Sequence, residues 1–181
     1  MEQKEGLTIS LPLQISELAQ VLFFAGISVL SFFVPFGLGH PQWLVGTAVN
    51  ACLFLSVIYL PRKYYLPFVI LPSLGVLARG IIFGPFTLFL VYFLPFIWLG
   101  NVVLILVFKN LYSRAGFIFS GILASVAKFL LLFLTANLCF NFHWVPKLFM
   151  QAMGLNQLVT ALSGGLISFI LWKSYQTRQK N

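Results

Sequence analysis

Apolar residues occupy the chain in six long runs, which short segments containing proline, glycine or polar residues separate. The runs are residues 17–36, 41–60, 65–83, 85–108, 116–140 and 148–172. Each approaches or exceeds the ~20 residues that a helix needs to cross ~30 Å of hydrocarbon. Because backbone polar groups in lipid must be satisfied within their own segment, these runs are predicted to be helices. The pattern predicts an all-α integral membrane protein: one transmembrane domain over residues 1–181, with six transmembrane helices.

The composition agrees with a membrane protein and leaves little chain for anything else. Of the 181 residues, 60% are hydrophobic and 8% are charged, and the mean hydropathy is +1.00. Beyond the runs there are only short loops and two tails, so we expect no soluble catalytic or ATP-hydrolysing domain. Charges of both signs (Glu2, Lys4, Glu5) precede the first run and no small-residue cleavage site follows it. We therefore expect that run to be retained as a span.

The basic residues predict how the spans are oriented. Alternate exposed segments, counted from the N-terminus, carry most of the cations outside the runs: Lys4, Arg62, Lys63, Lys109, Arg114, Lys173, Arg178 and Lys180. The opposite segments carry only Lys147. Since basic loops favour the cytoplasmic side, we predict a multi-pass protein of the plasma membrane with both termini in the cytoplasm. The net charge of +8 is dispersed among the loops, so it predicts no nucleic-acid partner.

Two cations, Arg79 and Lys128, lie inside apolar runs. The chain contains no Asp, and its three Glu residues all precede or open the first run. A charge near the bilayer midplane costs roughly 2.5–3.5 kcal/mol, so each cation needs a partner. We expect either backbone carbonyls and water, or an anion from outside. Arg79 lies close enough to the outer turn to extend into the interface, whereas Lys128, ~18 Å beyond Gly116, favours a functional or water-lined position.

Other polar residues in the runs allow both a packing and a binding interpretation. Asn50, Asn101 and Gln157 are more often hydrogen-bond partners between helices than ligand contacts. Thr160, Gly164 and Ser168 share one helix face and are most simply a packing surface. Arg79, Lys128, Asn50 and Gln157 nevertheless come from four different runs, and their convergence would form a binding site.

No recognisable catalytic or metal-binding motif accompanies these residues. The spans contain no acid after Glu17, and the chain has neither a glycine-rich phosphate loop nor a Gly-x-Ser-x-Gly elbow. The two His residues are not spaced as metal ligands on one helix. Cys52 and Cys139 lie in apolar runs and are predicted to be buried thiols. We expect neither an enzyme nor a resident cofactor.

Several stretches resemble a known family of membrane transport subunits. They are Gly39-His40-Pro41-Gln42 leading to Gly46-Thr47-Ala48-Val49-Asn50; Ala78-Arg79-Gly80 before Gly84-Pro85-Phe86; Pro95-Phe96-Ile97-Trp98-Leu99-Gly100-Asn101; and Gly154-Leu155-Asn156-Gln157 to Gly164-Gly165. With six short spans and an almost acid-free core, the chain resembles the substrate-binding S-components of energy-coupling-factor (ECF) vitamin transporters. The resemblance covers nearly the whole chain.

The resemblance implies a six-helix subunit that captures a small vitamin-like solute from outside the cell. A transmembrane coupling subunit and two cytoplasmic ATPases would drive its release inside, and those partners would hydrolyse the ATP. The family's pocket lies toward the outer side. The residues that best match that location are Arg79, Lys128, Asn137, His143, Trp144, Asn156 and Gln157.

The first helix departs from the family pattern. Members often carry Ala-x-x-x-Ala there, a strip of small residues that docks on the coupling subunit. The corresponding residues here are Ala25, Gly26, Ser28 and Ser31. The resemblance implies that these four form the docking strip, although the motif itself is absent.

A structural membrane subunit similar to the rod-shape scaffold protein MreD is the alternative interpretation. In that case the small-residue stripes would be interfaces with partner helices, and Lys128 would meet a carboxylate on another chain. A cavity open to a small molecule favours the transport subunit, and fully packed side chains favour the scaffold.

Overall fold

In a computed structural model, the chain is helical along nearly all of its described length. The structure describes residues 15–38, 40–80 and 87–180, and within these ranges it contains no β-strand. The α-helices are α1 (Glu17–Gly37), α2 (Gln42–Tyr59), α3 (Tyr65–Arg79), α4 (Thr87–Asn141), α5 (Leu148–Ala152) and α6 (Leu155–Lys180). The prediction of an all-α protein is confirmed.

Local sequence signals explain where the helices begin and end. The Ser16 hydroxyl accepts a hydrogen bond from the Ala19 N–H at 3.3 Å and caps the first turn of α1. Helix α2 begins directly after Pro41, whose fixed φ and missing N–H are tolerated at a helix start. Helix α3 ends at Gly80, which adopts the left-handed conformation with a φ of 68°.

Four segments are long and apolar enough to cross a membrane. They are Glu17–Gly37, Gln42–Tyr59, Phe89–Asn141 and Leu148–Arg178, and they indicate an integral membrane protein. The third predicted span is shorter than expected: α3 has 15 residues because Gly80 ends it, and residues 81–83 of the predicted run lie outside the described part. The sixth predicted run is helical but divided, since residues 153–154 separate α5 from α6.

Helix α4 is a hairpin rather than one rod. Its 55 residues would extend roughly 82 Å if straight, far beyond the thickness of a bilayer. Gly116 interrupts it with φ 72° and ψ 176°, a conformation that glycine adopts without strain. We call residues 87–115 the first arm and 117–141 the second arm. The rings of Phe108 and Phe117 lie 5.1 Å apart near the break, and a Cβ on Gly100 would lie 3.2 Å from Leu132 further along. The arms therefore run antiparallel.

The bundle is built around α2. Four of its side chains are fully buried: Leu53, Phe54, Val57 and Ile58. In the most apolar stretch of α2, 61% of the residues are buried inside the bundle, against 17% in α1. The two thiols, Cys52 and Cys139, are buried as predicted.

The outer face of α1 is apolar and uncovered. Six of its large hydrophobic residues are more than half exposed: Leu18, Val21, Leu22, Val29, Leu30 and Phe33. A continuous surface of this kind is suited to lipid or to another apolar helix rather than to water. It agrees with the membrane location that the sequence predicts.

Candidate functional site

The Lys128 ammonium lies in the interior of the bundle, where α2 and both arms of α4 meet. Its side chain is 3% exposed. Its Nζ donates to Asn50 Oδ1 on α2 at 2.6 Å and to Asn101 Oδ1 on the first arm at 2.8 Å. Lys128 is thus buried among the helices of its own chain. From the sequence, we expected the ammonium to be held either by backbone carbonyls and water or by an outside anion. Its acceptors in the structure are instead the side-chain amides of two asparagines.

Both amides are held with their oxygens toward the ammonium. Asn50 Nδ2 donates to the Gly46 carbonyl at 2.9 Å and to Thr160 Oγ1 at 3.3 Å. Asn101 Nδ2 donates to the Val69 carbonyl of α3 at 3.1 Å. Because each NH₂ group already has acceptors, each amide oxygen is free to accept from Lys128. The network therefore joins α2, α3, both arms of α4 and α6.

Two glycines allow α2 and α6 to approach closely enough for this network. A Cβ on Gly164 would lie 2.7 Å from the backbone N of Ala51 and from the Cβ of Asn50. A Cβ on Gly46 would lie 2.9 Å from Cγ2 of Thr160. Side chains at these positions would force the helices apart. The absence of side chains thus brings Asn50 within reach of both Thr160 and Lys128.

The charge of Lys128 has no carboxylate partner within the described part of the chain. Glu17 is the only acidic residue there, and it lies in the first turn of α1. An ammonium has three donors, and the described residues accept two of them. Hydrogen bonds to charged groups contribute about 1.5–3 kcal/mol each, which offsets part of the desolvation cost of the buried cation. An incoming anion would supply both the missing charge and the missing acceptor.

A cavity of about 120 Å³ adjoins this network. Asn50 and Asn101 form part of its wall, so the polar cluster that holds Lys128 lies at its edge. The other polar residues that line it are Gln42, Ser73, Asn156, Gln157 and Thr160. At ~30 Å³ per water, the volume corresponds to about four water molecules or one small oxyanion.

Trp98 lies beside the cavity but is engaged elsewhere. Its indole Nε1 donates to Ser73 Oγ at 3.2 Å, which joins the first arm of α4 to α3. Ser73 itself lines the cavity, whereas Trp98 does not. The indole therefore positions a wall of the cavity instead of presenting a stacking surface within it.

The seven predicted solute-binding residues separate into two groups. Lys128, Asn156 and Gln157 lie at or next to the cavity. Arg79 does not line it: its guanidinium donates to the Phe36 carbonyl at 2.9 Å and also to the Gly37 carbonyl. These are the last carbonyls of α1, which lack helical partners. The sequence led us to expect that either backbone carbonyls and water or an outside anion would hold Arg79. In the structure, backbone carbonyls hold it.

The remaining three predicted residues are also away from the cavity. Asn137 donates to the Phe133 carbonyl of its own helix at 2.7 Å. His143 is exposed, with a φ of 61°. Trp144 is 66% exposed and stacks on Phe142 with ring centroids 5.5 Å apart. The structure does not bring these three side chains together with Lys128.

The predicted docking strip on α1 divides between the surface and the interior. Ala25 and Gly26 are exposed, Ser28 is partly buried and Ser31 is 1% exposed. Only the first two residues are thus on the free face of α1 in this conformation. Docking of a partner through the strip stays a prediction.

The seven predicted solute-binding residues did not include several residues that line the cavity, although Asn50 was named as one of four polar residues whose convergence would form a binding site. Asn50 and Asn101 were expected mainly as partners between helices, and Thr160 as part of a packing face; all three belong to the network around Lys128. Ser73 carried no sequence signal. The usable signal was the presence of two asparagines in acid-free apolar runs, since an amide oxygen is the best remaining acceptor for an intramembrane lysine.

The described residues include no group of three His, Cys, Asp or Glu side chains that could hold a metal ion. What the site offers is a buried cation with amide donors and acceptors beside a small cavity.

No family model, curated protein or solved structure matches this chain.

Proposed function

We propose that this chain is a membrane-embedded solute-binding subunit that captures a small anionic nutrient. Its six transmembrane helices would be α1, α2, α3, the two arms of α4, and α6. The observation that carries the proposal is the buried Lys128 ammonium, which among the described residues is held by two neutral amide oxygens. The residues that supply them, Asn50 and Asn101, line the adjoining cavity. A site with a spare donor and an uncompensated positive charge in a low dielectric favours an anion.

The recognition step would use groups that are already in place. A carboxylate or phosphate oxygen would accept from the third N–H of Lys128 and complete its coordination. Asn156 and Gln157, which line the cavity at the start of α6, would supply neutral amide donors to the same anion. Since the amides of Asn50 and Asn101 are fixed by other contacts, little reorganisation would accompany binding.

The cavity volume restricts what enters this part of the site. Pockets that enclose whole drug-sized ligands measure about 300–1,000 Å³, against 120 Å³ here. The cavity would therefore accommodate the charged group of a larger solute rather than the complete molecule. Gln42 and Asn156, which lie near the ends of their helices, mark the side toward which the remainder would extend.

We predict that both termini lie in the cytoplasm, and in that orientation the chain would act as an importer subunit. Pro35, Gln42 and Met153 would then place the cavity in the outer half of the bundle. In an ECF-type importer, a transmembrane coupling subunit and two cytoplasmic ATPases would supply the energy for release. The exposed apolar face of α1 supports the proposal that this helix meets the coupling subunit.

The scaffold alternative is less well supported by the surroundings of Lys128. It requires a carboxylate from another chain to reach the ammonium. At 3% exposure Lys128 is enclosed by helices of its own chain, so that contact would require the bundle to unpack. The small residues at the α2–α6 crossing are likewise used within the chain, since Gly164 contacts α2.

The proposal is tested by the molecules that accompany the purified chain. Wild-type protein and the Lys128→Gln variant would be prepared in lipid nanodiscs, and small molecules released by denaturation would be compared by mass spectrometry. We expect an anionic solute with the wild type and at least about a tenfold loss with Lys128→Gln, which removes the charge. Lys147→Gln, the same change in an exposed loop, is the matched control.

Equal recovery of the solute from wild type and Lys128→Gln would contradict the binding role of Lys128. The partner proteins that co-purify from gently solubilised membranes test the transport assignment separately. A coupling membrane protein with paired ATPases is expected. Recovery of cell-wall assembly proteins without an ATPase would refute the importer and favour the scaffold.

A further inference from the structure

The opposite end of the bundle has a groove that the proposed solute site does not use. It lies between the second arm of α4 and α6, with a volume of about 210 Å³. Ile118 and Leu166 on its walls are 61% and 60% exposed, so the groove opens on the surface of the bundle. Ser125 supplies the one polar side chain among its lining residues, and its Oγ already donates to the Gly121 carbonyl at 2.8 Å. The groove therefore has no polar group in need of a partner.

A second hollow of about 420 Å³ continues the first toward the break at Gly116. The two share Phe117, Ile118, Ile122 and Phe169, and together we call them the α4–α6 groove. From Gly116 to Ser125 the groove follows roughly 14 Å of helix. An elongated apolar space open along one side is suited to a hydrocarbon chain.

Gly121 is the reason that the groove is empty of side chains. No atom lies within 4 Å of the Cβ that a larger residue would have there. At Gly164, by contrast, the same test finds the α2 backbone at 2.7 Å. Gly121 thus leaves space that the chain does not fill, whereas Gly164 permits close packing.

Positive charge lies at the Gly116 end of the groove. Lys173 is exposed, and its Nζ lies 5.9 Å from the centroid of the Phe169 ring in the groove wall. Arg114 is exposed and immediately precedes Ala115 and Gly116, which line the hollow. Neither cation has a carboxylate partner among the described residues. Trp172, which also lines this end, is of the type that anchors at the headgroup level of a membrane.

We propose that the α4–α6 groove binds an anionic phospholipid. One acyl chain would lie in the groove beside Gly121, and Arg114 and Lys173 would face the phosphate. The charge at one end decides between occupants, because an apolar partner helix would fill the groove without compensating these two cations. Basic sites between transmembrane helices commonly recognise anionic lipid headgroups. This inference does not depend on the solute proposed for Lys128.

The test uses the full chain released from nanodiscs with equal amounts of phosphatidylglycerol and phosphatidylcholine, and native mass spectrometry to identify the lipids it retains. The wild type is expected to retain phosphatidylglycerol preferentially. The Arg114→Gln/Lys173→Gln double variant should weaken that preference by about tenfold. Gly121→Leu should reduce retention of both lipids, because its side chain occupies the groove.

Two matched controls keep the result specific. Arg62→Gln/Lys63→Gln removes the same charges from another loop, and Gly26→Leu adds the same side chain to the exposed face of α1. Unchanged retention in both groove variants would overturn the proposal. So would an equal loss in the controls, or a second protein chain in place of lipid. If Gly121→Leu fails to fold, the double variant decides, since both of its side chains are exposed.

Discussion

Replacing Asn101 with leucine should destabilise the protein strongly only while Lys128 is present. In the wild type the ammonium has two acceptors, and Asn101→Leu removes the one at 2.8 Å. A hydrogen bond to a buried charge is worth about 1.5–3 kcal/mol, and the Val69 contact of the same amide adds about 1 kcal/mol. We expect a loss of about 2.5–4 kcal/mol in the free energy of unfolding.

The same substitution in a Lys128→Met background should cost at most about 1 kcal/mol, the value of the lost Val69 contact. Methionine removes the buried charge, which relieves roughly 2.5–3.5 kcal/mol, but it leaves two amide oxygens without a donor at about 1–3 kcal/mol each. These ranges place Lys128→Met alone between about 1.5 kcal/mol more stable and about 3.5 kcal/mol less stable than the wild type. Asn101→Leu then deletes one of the two unsatisfied oxygens, so its penalty nearly disappears.

The four variants form a double-mutant cycle with an expected coupling of about 2 kcal/mol between Lys128 and Asn101. Reversible unfolding in mixed lipid–detergent micelles, followed by tryptophan fluorescence, gives the four free energies. Penalties that add within about 0.5 kcal/mol would show that the two side chains do not interact as the structure has them. The reasoning about a charge held by neutral amides would then fail.

Two further predictions concern the helix packing around the site. Gly164→Leu should lower the free energy of unfolding by more than about 3 kcal/mol, because the new side chain would meet the α2 backbone. Gly26→Leu is the control: its Cβ would have open space, so the free energy should change by less than about 0.5 kcal/mol in the same assay. Arg79→Met should speed backbone hydrogen exchange in the segment that follows α1 by about tenfold while retaining the bound solute, since Arg79 holds helix-end carbonyls and does not line the cavity. Loss of the bound solute from that variant would show that Arg79 belongs to the binding site and that this reasoning is wrong.

The sequence predicted the helices better than it predicted their contacts. The runs 17–36 and 41–60 match α1 and α2 almost residue for residue, because long apolar runs leave the backbone no alternative to a helix in lipid. The short α3 was missed, since hydropathy does not register that Gly80 adopts a left-handed conformation and ends the helix.

The need of Lys128 for a partner could be predicted from composition alone, because the spans contain no acid after Glu17. Its actual partners could not. Asn50 lies 78 residues away, and its distance from Lys128 depends on how α2 is rotated and on the close crossing at Gly164. Asn101 reaches Lys128 only because Gly116 turns α4 back on itself. These contacts depend on how the helices pack, and the packing could not be predicted from a single sequence that has no matching relatives.

The hairpin in α4 makes the two acceptors of Lys128 unequal. Asn101 and Lys128 belong to the same folded-back element, so they move together whenever the hairpin moves. Asn50 belongs to α2, which α6 holds through the Thr160 and Gly164 contacts. A displacement of the α2–α6 pair against the hairpin would lengthen the Asn50 contact and leave the Asn101 contact within the hairpin unchanged. The Asn50 contact therefore depends on where the α2–α6 pair lies against the hairpin, whereas the Asn101 contact depends on the fold of the hairpin alone.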